Sequence, residues 1–222
     1  MKVKKFIKIL QNLTQVFYPH DSHCLQQIEN APLNPQKLKK QSNDIVVLFD
    51  YGNACVRKAV LKLKSKGLAE YSELFANALL SYILTLHADK QLWSKESFAI
   101  APVPLHKAKV IKRGFNQSEL VLKSLEKLAK EYDLNLKFSY RLLKRDKNTK
   151  DQKLLNKKER LQNMENAFST QTNILTKLKT DNIILIDDMV TTGATLSEAK
   201  RALRRSGFKG GVILIALAGK SH

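Results

Sequence analysis

The stretch Asn182 to Leu196, NIILIDDMVTTGATL, restricts the fold of this chain more than any other. Ile183 to Ile186 form a short run rich in β-branched side chains and bounded by polar residues, the pattern of a buried strand. The run leads into two adjacent carboxylates, Asp187 and Asp188, then Met189 and Val190, then Thr191, Thr192, Gly193, Ala194 and Thr195. From that turn a helical pattern continues to about Ser206. A strand that passes through a small-residue turn into a helix gathers the turn's N–H groups and the positive end of the helix dipole at one point. That point is an anion site.

The order of groups adds chemistry. Two carboxylates repel a phosphate, but they accept hydrogen bonds from vicinal hydroxyls or hold a divalent metal. Gly193 lets the backbone approach a ligand closely, and the hydroxyls of Thr191, Thr192 and Thr195 add donors for a phosphate. A sugar phosphate with free hydroxyls satisfies both ends. The competing reading, an acid pair and threonines that merely cap the turn and helix, accounts for the parts but not for their combination.

At 222 residues the chain is long enough for one domain, or one domain with a small appendage. No apolar run approaches a membrane span. Met1 to Tyr18 starts basic, but Val3, Phe6, Ile7, Leu10, Leu13 and Phe17 fall on one face of an amphipathic helix and no cleavage site follows. A cytoplasmic protein is expected, with a peripheral place at the inner membrane as the variant of that expectation. The net charge of +19 favours polyanionic partners.

Along the chain, His20, His23 and Cys24 are metal ligands by type but lack a second pair nearby, and Cys24 and Cys55 are expected to be free thiols. Gln26 to Asp44 reads as a connector and Ile45 to Asp50 as a strand. Ala54 to Gly67 reads as a helix whose Arg57, Lys58, Lys62, Lys64 and Lys66 have no carboxylate among them, which favours an anion-facing surface. Leu68 to Leu86 is a buried helix. Phe98 to Val103 is the next strand, with prolines that end the ladder and begin a rigid loop. That loop, Leu105 to Arg113, carries His106, Lys107, Lys109, Lys112 and Arg113 before a helix restarts. A basic stretch, Arg141 to Arg160, holds nine Lys or Arg against three acids. Val212 to Leu217 is a last strand. Strands alternating with helices give an α/β fold with a mainly parallel central sheet flanked by helices. The division expected is 1–44, an N-terminal helix and connector, and 45–222, the α/β domain.

The strand, acid pair and threonine-glycine loop resemble the phosphoribosyltransferases of the type I fold. The run PVPLHKAKVIKRGFNQSELV, with Val103, Pro104, Arg113, Gly114, Phe115, Asn116 and Gln117, narrows the resemblance to the ComF family of competence-associated proteins. Arg141, Arg145, Thr149, Gln152, Leu155, Arg160, Asn163 and Phe168 match a second pattern of that family. Residues 1–44 then resemble a zinc-binding appendage that has lost its Cys-x-x-Cys pairs, so zinc is not expected. The final strand ends Ala218-Gly219, where relatives have Ala-Arg.

The resemblance implies binding of 5-phosphoribosyl 1-diphosphate with Mg2+ and transfer of its pentosyl group to an acceptor that no motif identifies. In that picture Asp187 and Asp188 hold the ribose hydroxyls or, indirectly, the metal; Thr191, Thr192, Gly193, Ala194 and Thr195 hold the 5′-phosphate. Lys107, Lys112 and Arg113, with Arg145 on a closing loop, stabilise the departing diphosphate. His106 is a candidate base and Phe115 a core anchor. The resemblance also implies a role in DNA uptake during natural transformation, with single-stranded DNA and other competence proteins as partners and a homodimer as a common assembly. The alternative is an inactive DNA-handling or regulatory protein, using Arg57, Lys58, Lys144 and Lys147 for nucleic acid. Against direct base recognition, no aromatic residues interleave with these cations.

Overall fold

The computed structural model describes residues 22–30, 35–40, 43–88, 98–134, 136–147 and 164–220. The apolar run at the start of the acidic stretch forms β7 (Asn182–Val190), buried along Asn182 to Ile186. It sits inside a six-stranded sheet with β8 (Gly211–Gly219) on one side and β3 (Phe98–Pro102) on the other, both parallel to it. Beyond β8 lies β2 (Asn43–Asp50), also parallel, and beyond β3 the short parallel strand β4 (Lys137–Phe138). One further strand, β1 (Gln36–Lys40), closes the β2 edge in antiparallel fashion. The α/β architecture with a mainly parallel sheet is therefore as the alternation of strands and helices dictates.

Alternation along β7 divides the core. Ile184 and Ile186 face α1 (Ser22–Asn30), α2 (Ala54–Lys66), α3 (Ala69–Ala88) and α5 (Gln117–Glu131), where Leu63, Phe75, Leu79, Leu122 and Leu125 are all fully buried. Ile183 and Leu185 face the opposite layer, made by α7 (Ala194–Arg205), by residues of α6 (Thr172–Leu178) and by a small antiparallel sheet of β5 (Leu143–Arg145) and β6 (Phe168–Thr170). Each such aliphatic side chain contributes roughly 1.5–3 kcal/mol through burial, and the two-sided burial is why every position from Ile183 to Ile186 is apolar.

Local signals set the element ends. Asn53 caps α2 by accepting the N–H groups of Cys55 and Val56, and Gly67, at φ +59, ends it in the left-handed region. The ring of Phe115 lies against Gly67, where a Cβ would fall 2.9 Å from it, so Phe115 is a packing anchor. Pro102 sits within the sheet beside Ile186, although a central strand tolerates proline poorly. Pairing with β4 stops at Ile100, so on that side no partner asks Pro102 for the N–H it lacks. The Val103 N–H then continues the ladder to Ile186 at 2.8 Å. At Gly219 a Cβ would lie 2.5 Å from a Val190 methyl, which accounts for the glycine that ends β8.

Three expectations change. The connector Gln26–Asp44 includes part of α1, all of the edge strand β1 and the start of β2. The basic loop Leu105–Arg113 is mostly helix, α4 (Lys107–Arg113), because His106 caps it through Nδ1 and Gly114 ends it at φ +90. Cys24 and Cys55 are not free thiols but a disulfide joining α1 to α2, with Cα atoms 4.9 Å apart. The first helix expected at Met1–Tyr18, His20, and Thr149, Gln152, Leu155, Arg160 and Asn163 lie outside the described residues. Among the described residues no helix is long and apolar enough to cross a membrane.

Candidate functional site

The sheet order places the acid pair at a reversal. After β3 the chain passes through α4 and α5 to β4 on one side; after β7 it passes through α7 to β8 on the other. Two adjacent parallel strands whose connections depart in opposite directions leave a crevice at their carboxyl ends, where open α/β sheets bind ligands. Asp187 and Asp188 stand at the end of β7 beside that crevice, and α4 with its cations follows directly from β3. The basic segment and the acidic segment, far apart in sequence, are thus neighbours. Asn116 ties the two ends of the basic segment together: its Nδ2 donates to the Val103 carbonyl at 3.0 Å, while its Oδ1 accepts the Ser118 N–H at the start of α5.

The two acids do not share one environment. Asp188 lies toward the helical layer and is 8% exposed. Its Oδ2 accepts the Gln117 amide Nε2 at 2.9 Å and pairs with the Lys64 ammonium at 3.0 Å. Lys64 comes from the last turn of α2 and Gln117 from the first residue of α5, so three elements converge on one carboxylate oxygen. Gln117 is itself 3% exposed, and its Oε1 is buried without a hydrogen-bond partner. A buried carbonyl of that kind calls for a donor.

Asp187 takes the other side. With Val190, Thr191, Thr192, Gly193 and Thr195 it lines a small depression at the start of α7. Gly193 adopts φ +76 there, so the bend needs glycine, and the Thr192 hydroxyl approaches the Ala194 N–H at 3.4 Å. Burial, and then the adjacent Asp188 charge, push the Asp187 carboxyl up to about 8, although Oδ1 accepts the Asp188 N–H at 2.9 Å. Arg145 on β5 is also buried, with its guanidinium 5.4 Å from the Phe168 ring centre and Nη2 3.5 Å from the Met164 sulfur. Burial pulls its pKa down, and the Asp187 charge opposes that shift. Arg145 is thus within electrostatic reach of Asp187.

A third acid supports this side. Glu198 on α7 is 1% exposed; it accepts the Asn166 N–H at 3.1 Å and pairs with Arg205 at 2.8 Å and Arg201 at 3.4 Å. Arg205 in turn donates to the Phe168 carbonyl at 3.1 Å. The helix that begins at the glycine bend therefore grips the strand that faces Arg145. On sequence alone these arginines are cations at a helix C-terminus; the buried partner one turn before Arg201 and two before Arg205 is what orders them.

The remaining candidates separate. Thr191 is exposed, Thr192 and Thr195 partly exposed, and Gly193 and Ala194 buried, all in one bend. Lys107 and Lys112 are exposed on α4 and Arg113 is partly exposed. Arg57 and Lys58 are exposed on α2. Lys144 pairs with Asp146 at 2.7 Å and Lys147 donates to the Glu165 carbonyl at 2.7 Å, so both cations are engaged within the β5–β6 layer. Three residues of the site escaped the sequence reading: Lys64, grouped there with surface cations, Gln117, quoted only as part of a motif, and Glu198. An acid or amide in a run of helix-forming residues carries no mark of burial.

Magnesium, implied by the resemblance, fits this donor set poorly. Among the described residues no group of three or more His, Cys, Asp or Glu side chains is placed to hold a metal. Asp188 already carries an ammonium. A further cation would meet about 4 kcal/mol of repulsion per pair of unit charges at 4 Å and an effective dielectric of about 20. Cys24, a zinc ligand by type, is committed to its disulfide.

Comparison with known proteins agrees with this geometry. The phosphoribosyl transferase domain family matches residues 121–222, which include the acid pair and the glycine bend. Competence protein F of Haemophilus influenzae is 35% identical over 130 residues, 59% of this chain and 54% of that protein. Competence protein ComFC of Bacillus subtilis is 34% identical over 155 residues, 70% of this chain and 56% of that protein. The DNA utilization protein YhgH of Escherichia coli K12 is 27% identical over 163 residues, 73% and 66% of the respective chains. The chain thus spans little more than half the length of the first two relatives.

Proposed function

We propose that this chain, which belongs to the ComF family of competence-associated proteins with a phosphoribosyltransferase-like fold, binds the ribose 5-phosphate portion of 5-phosphoribosyl 1-diphosphate and serves DNA uptake. The observation that carries the reading is the placement of Asp187, Asp188 and the glycine bend at the carboxyl end of β7, beside the crevice it forms with β3. Phosphate belongs in the bend, where backbone N–H groups and the α7 dipole converge. Ribose hydroxyls belong beside the acids, which accept their hydrogen bonds.

The reaction such a site supports is pentosyl transfer, in which the bond from C1 to the diphosphate breaks as a bond from C1 to the acceptor forms. Lys107, Lys112 and Arg113 on α4 supply positive charge where the diphosphate departs, and Arg145 supplies it from the opposite layer. His106 accepts the Ala108 N–H with Nδ1 to cap α4, which in the neutral ring leaves Nε2–H as a donor rather than a base. The acceptor is recognised by residues other than these.

A second reading, handling of single-stranded DNA without turnover, draws on the exposed Arg57 and Lys58 and on the relatives named for competence and DNA utilization. One experiment separates the two. Millimolar 5-phosphoribosyl 1-diphosphate should raise the Tm, by an amount corresponding to about 2.7 kcal/mol at a hundredfold excess over Kd. Asp187→Asn combined with Asp188→Asn should abolish that rise. An unchanged Tm in the native chain would overturn the sugar-phosphate reading. Single-strand affinity that survives the double substitution and falls steeply with salt would favour the second.

A further inference from the structure

We infer that Lys64 occupies, at Asp188, the electrostatic position of a divalent cation, so that the site takes the ribose 5-phosphate group without a metal. The inference deepens the reading above and rests on it. Its starting point is the convergence on one oxygen: the Lys64 ammonium at 3.0 Å and the Gln117 amide at 2.9 Å from Asp188 Oδ2. Lys64 is three-quarters covered, so the pair is shielded from solvent and salt far better than an ordinary surface ion pair.

Geometry makes the arrangement durable. Lys64 lies in the last turn of α2, which Gly67 ends in the left-handed conformation against the Phe115 ring. Gln117 opens α5 immediately after Asn116, whose side chain is fastened to the end of β3. The motif that carries Phe115, Asn116 and Gln117 therefore fixes both donors to Asp188, one through packing and one directly.

The groups facing this point are Asp187 and Asp188 from β7, Lys64 from α2 and the Gln117 amide from α5, with Arg145 reaching Asp187 from β5. Two acids are thus met by two cations. A divalent ion would have to displace the ammonium from Asp188, whereas a sugar hydroxyl adds to the contacts already there. The buried Gln117 Oε1, without a partner, asks for the same kind of group, a hydroxyl donor. Lysine also removes the repulsion that bare carboxylates exert on an incoming phosphate.

The test uses the full chain and two probes. With 5-phosphoribosyl 1-diphosphate, the rise in Tm should be the same in excess EDTA as in excess Mg2+; Lys64→Met should retain a rise only with Mg2+, and Lys64→Arg should behave as the native chain. With Mn2+ alone, followed by its paramagnetic resonance signal, Lys64→Met should bind at least tenfold more tightly than the native chain. A native response that needs Mg2+, or a Lys64→Met response that does not, overturns the inference and leaves the sugar-phosphate reading standing. An absent response in the native chain under both conditions overturns that reading instead. The Mn2+ arm then decides on Lys64, and equal binding by native chain and variant overturns its cation role. If Lys64→Met fails to fold, the native EDTA comparison and Lys64→Arg still decide the question.

Discussion

Asp187 and Asp188 are one residue apart and chemically identical, yet the protein treats them in opposite ways. Alternation along β7 sends Asp188 to the layer of long helices, where an ammonium and an amide meet it. Asp187 goes to the layer of α7 and the small sheet, where burial dominates and raises its pKa. An acid pair in a sequence therefore need not be a chemical pair. One member is built into the scaffold, and the other is left carrying the cost of its surroundings at the edge of the glycine bend.

The contrast predicts substitutions of opposite sign. The largest effect belongs to Asp188→Asn, which removes the charge that Lys64 and Gln117 address and should lower stability by about 2–3 kcal/mol in denaturant titration. A neutral result would mean that the Lys64 contact is an ordinary surface pair. Glu198→Ala comes next, at about 2 kcal/mol, because it strips the Asn166 N–H of its acceptor and frees Arg201 and Arg205 to solvent. It should also loosen β6 relative to α7, read as faster amide exchange at Asn166 and Phe168.

The smallest effect should be a gain. A carboxyl whose folded pKa is raised above its unfolded value holds its proton better in the folded state, so stability falls as pH climbs from about 4 to about 8. Asp187→Asn should remove that fall and stabilise the protein at pH 8 by about 1 kcal/mol or more, with little change near pH 4. Parallel stability–pH curves for the native chain and the variant would place Asp187 in solvent and end the contrast between the acids.

Much of the fold was legible because strands and helices differ in periodicity. The apolar runs of β2, β3, β7 and β8 and the glycine that opens α7 announce themselves in the sequence, whereas the Asn caps of α2 and α5 emerge only in the structure. What hid was short, polar or paired at long range. The strand β1 reads QKLKK, more lysine than apolar residue, so its composition carries no strand signal. The helix α4 looked like a loop because prolines precede it and cations fill it, while its His106 cap is an unusual one. Within the site, the acid pair and the bend were plain. Lys64 was not, because five similar cations share its helix and only the register of α2 on the sheet selects the one that turns inward.

The contact between Gly67 and Phe115 carries a consequence for how this molecule can change. Neither residue touches a ligand, yet the aromatic ring fills the volume that a methyl group on residue 67 would need, and the helix bearing Lys64 ends against it. Charge balance in the crevice is therefore inherited from a steric fit at its rim, and drift at either position is answerable to the other.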